Sequence, residues 1–375
     1  MQYDIRTYCP LAFTGFDTRS KSACCWARIS EKPRSFKELQ DTITIKNLQT
    51  DLLNGVKNPT CNACWQQEET GVISMRQHFM RQHFLDIDKA IEQEIVDKKL
   101  KHLVIDSGNV CNLACRTCGS HSSSSHFKES NAKDIKFGRK EQILAVKKTD
   151  LEYLKSEDYS SINTISVLGG EPFQNLEHLE ILDIIVKQGY ASNCKLYYCT
   201  NGTIKLPNRV KDIFCNFRQV QFTLSVDAIC EQFEYIRTNG EWPILLDNVA
   251  DLKDLAKNNI NVGIDGHPTI SALNILYLDE LYEWYEENNL NYNIVICESP
   301  VAYSFKIFND VQKEIILAKL ADSRFDMTAI IQHIRNSSFN QAALDNFYRE
   351  IEFTKEFKNL DINEYLPRLM ELLEQ

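Results

Sequence analysis

What the chain does not contain narrows it first. No stretch of its 375 residues approaches the roughly 18 consecutive apolar residues of a membrane-spanning helix. The opening MQYDIRTYCPLAF lacks the basic-then-apolar layout of a secretory signal, so a cytoplasmic location is expected. Positive charge is not in surplus. With 42 Lys and Arg against 52 Asp and Glu, the net charge of −10 argues against broad electrostatic binding to nucleic acid. The short run KFGRK (136–140) is at most a local patch or a solvated loop. No low-complexity linker divides the chain, and after Gly266 there is no glycine at all, so residues 310–375 read as helices. At 43% hydrophobic and 25% charged residues, the chain is of ordinary globular composition, long enough for one large α/β domain and a smaller unit.

Cysteine is abundant instead. The count of 13 is odd, and a disulfide scaffold is not expected in a reducing compartment. Eight cysteines fall before residue 119: Cys9, the pair Cys24 and Cys25, CNAC (61–64), and Cys111, Cys115 and Cys118 within CNLACRTC. These clusters suit soft-metal ligation. Cys194, Cys199, Cys215, Cys230 and Cys297 stand singly and fit small buried hydrophobes.

From residue 101, runs rich in β-branched and aromatic residues alternate with amphipathic stretches. The spacing predicts strands at 102–106, 164–168, 195–200, 220–226, 260–265 and 292–297, with helices such as 175–189, closed by Gly189, and 274–289. Six strand–helix repeats imply a parallel sheet with right-handed crossovers, either doubly wound or a full or partial barrel. The first hundred residues show little strand pattern, and helices are expected at 45–55 and over 66–84.

Polar and glycine-rich signals follow every strand: the cysteine triad, GGEPF (169–173), TNG (200–202), SVDA (225–228) and DGHP (265–268). Barrels and open parallel sheets place active sites at that end. Gly169 and Gly170 allow close backbone approach, Glu171 offers a charge-assisted acceptor and Pro172 stiffens the turn.

C-x3-C-x2-C after a first strand, with GGEP after the second, resembles the radical SAM enzymes. The resemblance implies a partial (β/α)6 TIM-like barrel. It implies that Cys111, Cys115 and Cys118 hold a 4Fe–4S cluster whose fourth iron takes the amino and carboxylate groups of S-adenosylmethionine (SAM). Thr117 departs from the aromatic residue many members carry before the last cysteine. Further SAM contacts carried over are Gly169, Gly170, Glu171, Pro172, Thr200, Asn201, Ser225, Asp227 and Arg237, the last resembling an arginine that pairs with the SAM carboxylate.

The amino-terminal cysteines, with CNACWQQEETGVISMRQ, resemble the auxiliary-cluster modules of the SPASM or twitch type, here placed ahead of the barrel. The implied ligands of a second iron–sulfur cluster are Cys9, Cys24, Cys61 and Cys64, with Cys25 the alternative to Cys24. The same four thiolates would also satisfy a structural zinc. Trp26 and Trp65 either shield this site or belong to the core. The expected organisation is a cysteine-rich region (1–100), the radical SAM barrel (101–300) and a helical C-terminal region (301–375).

The expected activity is reductive cleavage of SAM to a 5′-deoxyadenosyl radical that takes hydrogen from a peptide or protein side chain. The alternatives are a small metabolite such as a sugar or nucleotide as substrate, or a non-catalytic iron–sulfur or zinc protein. A flavodoxin or ferredoxin is the expected electron donor. Cys199 and Cys297, near the carboxyl ends of strands, are candidate hydrogen donors to a substrate radical.

Overall fold

Strand alternation decides which way the sheet faces. In the computed structural model, which describes residues 7–69, 73–81, 98–137, 145–146 and 150–375, Leu103, Ile105, Ile165, Val167, Leu196, Tyr198, Val220 and Phe222 are buried on one face. Val104, Ser166, Tyr197, Cys199, Gln221 and Thr223 alternate with them and lie half-buried on the other, inner face. Helices cover the first face. Tyr198 and Phe222 pack at tilted and edge-on angles against Phe214 of the helix Asn208–Phe214, and His178 of the helix His178–Lys187 hydrogen-bonds the Tyr198 hydroxyl at 2.9 Å.

The strands are β1 (Gly15–Asp17), β2 (His102–Asp106), β3 (Thr164–Leu168), β4 (Lys195–Thr200), β5 (Gln219–Leu224), β6 (Val262–Gly266), β7 (Thr269–Ile270), β8 (Asn291–Tyr292) and β9 (Val295–Ile296). The main sheet runs β1-β2-β3-β4-β5-β6-β8, all parallel. Strand order follows chain order with no reversal, so this is a singly wound, open barrel-type sheet and not a doubly wound one.

Two expectations are corrected. The amino-terminal region supplies a strand: β1 pairs with β2 from Gly15↔His102 to Asp17↔Val104. The run 292–297 is not one strand. Its start lies on β6, while β9 pairs with β7 in a separate two-stranded sheet. Asn293 N–H bonds the Gly266 carbonyl and Val295 N–H that of Pro268, so the chain changes partner between them.

The predicted helices form at Ile43–Leu53, His178–Lys187 and Leu278–Glu287, and Gly189 takes φ +82° after the second. Of 66–84, the helices Asn62–Glu69 and Met75–Arg81 are seen; 70–72 and 82–84 lie outside the described residues, as do 138–140 of KFGRK. Residues 310–375 are helical as expected, and no described helix is long and apolar enough to cross a membrane.

Candidate active site

The cysteine triad sits in the loop after β2, and backbone bonds fix that loop. Ala114 N–H bonds the Thr238 carbonyl and Arg116 N–H the Ile236 carbonyl, each at 2.8 Å, anchoring it to the end of the helix Cys230–Ile236. Ser123 and Ser125 hydroxyls donate to the carbonyls of Leu113 and Cys111. His126 Nε2 donates to the Cys115 carbonyl at 3.1 Å, and burial lowers its pKa to about 4, keeping the ring neutral.

GGEP packs directly on this loop. Gly170 N–H bonds Gly108 O at 2.7 Å and Glu171 N–H bonds Val110 O at 2.8 Å. A Cβ on Gly169, whose φ is +140°, would lie 2.3 Å from Ser107 Oγ; one on Gly170 would lie 2.3 Å from Val110 O. The close approach expected toward a ligand is therefore made to the chain itself, and it locks the second motif against the first.

Glu171 is fully buried. Its Oε1 accepts from Thr200 Oγ1 (2.8 Å) and Phe173 N (3.2 Å), and its Oε2 from Asn201 N (2.8 Å). Burial pushes its carboxyl up to about 7 against these three bonds. A carboxylate has about four acceptor positions, so one remains open. Pro172 is buried in the turn that follows.

Asn201 and Arg237 turn donors onto the triad. Asn201 Nδ2 lies 3.8 Å from Cys111 Sγ, and Arg237 Nη1 lies 3.8 Å from Cys115 Sγ. Amide and guanidinium donors aimed at sulfur are what anionic thiolates of a cluster need around them. Arg237 is also ion-paired, Nη2 to Asp227 Oδ2 at 2.9 Å, and Asp227 Oδ1 accepts from Thr269 N. Asp227 thus orients Arg237 and the start of β7. Ser225 lies half-buried on the inner face, its Oγ 3.7 Å from Cys199 Sγ. Cys297 is buried, its Sγ 3.6 Å from Ser299 O, and its thiol is raised by burial and then by Asp227.

Burial raises the thiol pKa of all three triad cysteines, to about 11 for Cys115 and Cys118, and each also feels a neighbour of the triad. Among the described residues no three His, Cys, Asp or Glu side chains converge as ligands of a single ion do. Cluster cysteines each bind their own iron and need not converge on one point. The triad, with sulfur-directed donors and a carboxylate beside it, fits a 4Fe–4S cluster and SAM.

Three of the amino-terminal cysteines, Cys9, Cys61 and Cys64, lie close enough to act on one another, without converging as ligands of a single ion. Burial pushes Cys9 and Cys61 up to about 12, with Cys64 adding to both and Cys9 to Cys61. Cys24 is raised by burial and then by Cys9; Cys25, more exposed, is raised to about 11 by burial, then by Asp17, with Cys64 also acting on it. Cys64 and Trp65 lie in the helix Asn62–Glu69, where Trp65 is buried under Arg76, 5.0 Å from its ring centre. Arg76 donates to Tyr8 O, beside Cys9, and pairs with Glu68. Trp26 is 45% exposed and is not core.

Three residues not singled out from the sequence complete the site. Asn112, inside the motif, links Asn201 to Thr203. Arg116, between two of the cysteines, is buried against Glu129, Thr238 and Thr354. Arg19 bonds Asp106 at 3.0 and 3.1 Å and senses Cys118, bringing the amino-terminal region to the mouth of the site. Their partners are distant in sequence, so only Asn112 and Arg116 carried a local signal, their position within the motif.

Residues 105–281 match the family model of the Radical SAM superfamily. An uncharacterised protein of Methanocaldococcus jannaschii is 27% identical over 192 residues, 49% of this chain and 58% of that protein. Among solved structures, anSMEcpe with bound AdoMet and Cp18Cys peptide has a TM-score of 0.40 at 16% identity, covering 59% of this chain and 58% of its own. Streptococcus suis SuiB bound to S-adenosylmethionine has a TM-score of 0.37 at 13% identity, covering 81% and 66%. The chain thus spans less than two thirds of the length of these relatives. The triad after β2 and the GGEP turn locked upon it both fall inside residues 105–281, the part of the chain that is similar to the Radical SAM superfamily.

Proposed function

We propose that this protein is a radical SAM enzyme carrying two iron–sulfur clusters and acting on a peptide or protein side chain. When bound, a 4Fe–4S cluster and SAM supply one-electron cleavage of SAM and a 5′-deoxyadenosyl radical, chemistry that no side chain starts. Cys111, Cys115 and Cys118 would hold the cluster and leave one iron for the SAM amino and carboxylate groups. Glu171 would accept from the SAM ammonium at its open position. Thr200 and Asn201 orient Glu171, and Asn201 and Arg237 donate to ligand sulfurs. Ser225, Asp227 and the remaining Arg237 donors would line the rest of the cofactor. The inner face of the sheet would receive the substrate and keep water from it.

The observation that carries this reading is the continuous chain of contacts from Glu171 through Asn201 to Cys111, which joins the GGEP motif to the triad. For the auxiliary site, the mutual action of Cys9, Cys61 and Cys64 supports a second cluster, and with Cys24 acted on by Cys9 and Cys25 by Cys64, either can be its fourth ligand. The peptide substrate rests on the resemblance of this cysteine-rich region to auxiliary-cluster modules. A cytoplasmic setting, a flavodoxin or ferredoxin donor, and the partition at residues 100 and 300 belong to the same proposal, with β1 reaching into the barrel sheet.

The test is anaerobic reconstitution with iron and sulfide, followed by SAM titration of the reduced protein's electron paramagnetic resonance spectrum. A SAM-dependent change in one of two cluster signals is expected. A protein that binds iron and shows no response to SAM would sink the reading.

A further inference from the structure

The inner face of the sheet carries two carboxylates at the same level. Register pairs Asp106 with Leu168, Cys199 with Thr223, and Thr223 with Asp265. Asp106 has its cation, Arg19, at 3.0 Å. Asp265 does not. It accepts a hydrogen bond from the Thr223 hydroxyl, while its Oδ1 is closed off from solvent and has no hydrogen-bond partner among the described residues. His267, two residues on, is a basic group that acts on it and lowers its pKa. Burial raises its carboxyl, as expected for a charge without adequate compensation.

The surroundings give this acid a place relative to the cofactor end. Below it, Gln221 lies over Gly263, where a Cβ would come 2.3 Å from Gln221 Oε1, so the amide closes the floor of the inner face. Tyr197 stands beside Gln221 in the register and feels the Asp265 charge. At its own level Cys199 lies two strands away, and Cys199 in turn touches Ser225, which follows the end of β5 toward the SAM-side loops. Asp265 therefore sits between a closed floor and the cofactor. Leaving a carboxylate oxygen unpaired in such a place is unfavourable, and turning about the Asp265 side chain exchanges which oxygen faces the interior.

We propose that Asp265 is a specificity-determining residue that receives a cationic amine of the substrate, as Arg19 serves Asp106. The proposal rests on the radical SAM reading. It predicts that side chains ending in an ammonium group are preferred over isosteric apolar ones.

Two random hexapeptide pools test it. One carries perdeuterated lysine at its centre, the other perdeuterated norleucine, which keeps the four-carbon chain without the ammonium. With reconstituted full-length protein, SAM and dithionite, the readout is deuterium in 5′-deoxyadenosine by mass spectrometry. The lysine pool is expected to donate about 10-fold more, the scale of one charge-assisted contact. Asp265→Asn is expected to erase most of that preference and Asp265→Glu to restore part of it. Loading and fold of each variant are read from its cluster spectrum with SAM. Should Asp265→Asn fail there, Thr223→Val removes the bond that orients the carboxylate and is expected to weaken the preference. Equal transfer from both pools, none from either, or an unaltered preference in a loaded variant overturns the proposal. Absence of 5′-deoxyadenosine from wild-type protein under all conditions would instead remove the radical SAM reading, and this proposal with it.

Discussion

Glu171 accepts three hydrogen bonds from the described residues, which leaves one of about four acceptor positions for a further donor. Glu171→Gln is expected to weaken SAM binding about 10-fold or more, since a bond to a charged group contributes on the order of 1.5–3 kcal/mol. A SAM titration of the cluster spectrum measures it, and an unchanged affinity would remove Glu171 from the SAM site. The carboxyl, pushed up by burial to about 7, is protonated below that pH and loses its charge. SAM affinity should therefore rise as pH rises through 7. The two candidate hydrogen donors also separate at this scale. Cys199 lies half-buried on the inner face beside Ser225, whereas Cys297 is buried between Ser299 and the charge of Asp227. In deuterated water, Cys199→Ala should change the deuterium content of the product and Cys297→Ala should not; the reverse pattern would move the donor to Cys297. Residue type and spacing made the triad and GGEP legible in the sequence. The pairing of Arg237 with Asp227 was not, because only the turn between β5 and the following helix brings them together.

The helix Phe127–Phe137 ties the cysteine loop to the helix Gln341–Lys358 through one buried acid. Glu129 meets Arg116 at 3.3 Å, Lys133 at 3.0 Å and Lys358 at 3.0 Å. Burial alone would raise its carboxyl, but the three cations hold it down at about 2. Its folded value lies below the unfolded value of about 4.3, so its contribution is present above that pH and is lost as pH falls toward 2. The shift corresponds to roughly 3 kcal/mol. Glu129→Gln is expected to destabilise the protein by about that order at pH 7 and to flatten the acid limb of its stability curve. Denaturant unfolding at pH 7 and 3 reads both, and a variant equal to wild type at each pH would contradict the network's role. Strands with clear alternation, such as TISVL and KLYYCT, were legible as elements. GFD (15–17) was not: three residues give no period, and it becomes a strand only because β2 offers a partner edge. The run 292–297 reads as one strand because nothing local marks the change of partner from β6 to β7.

Across the whole molecule, the amino-terminal region with Cys9 and Cys61 and the parallel sheet share one hydrophobic core, which runs from Tyr8 through the sheet to Leu373. Arg19 and Asp106 join the two at the mouth of the site. Replacing Cys9, Cys61 and Cys64 together by Ala should lower iron to the content of one cluster while the SAM-responsive signal persists. Metal analysis of wild-type protein giving zinc at this site instead would make it structural. Sequential strand order, which the spacing of strands alone could not provide, is what distinguishes a barrel-type sheet from a doubly wound one here. The central claim is that Cys111, Cys115 and Cys118 hold the cluster that cleaves SAM. The most direct measurement is 5′-deoxyadenosine formed from SAM and dithionite by anaerobically reconstituted wild-type protein and by the variant with all three cysteines changed to Ala. Formation by the wild type and none by the variant is predicted. A variant that still makes 5′-deoxyadenosine at the wild-type rate would contradict it.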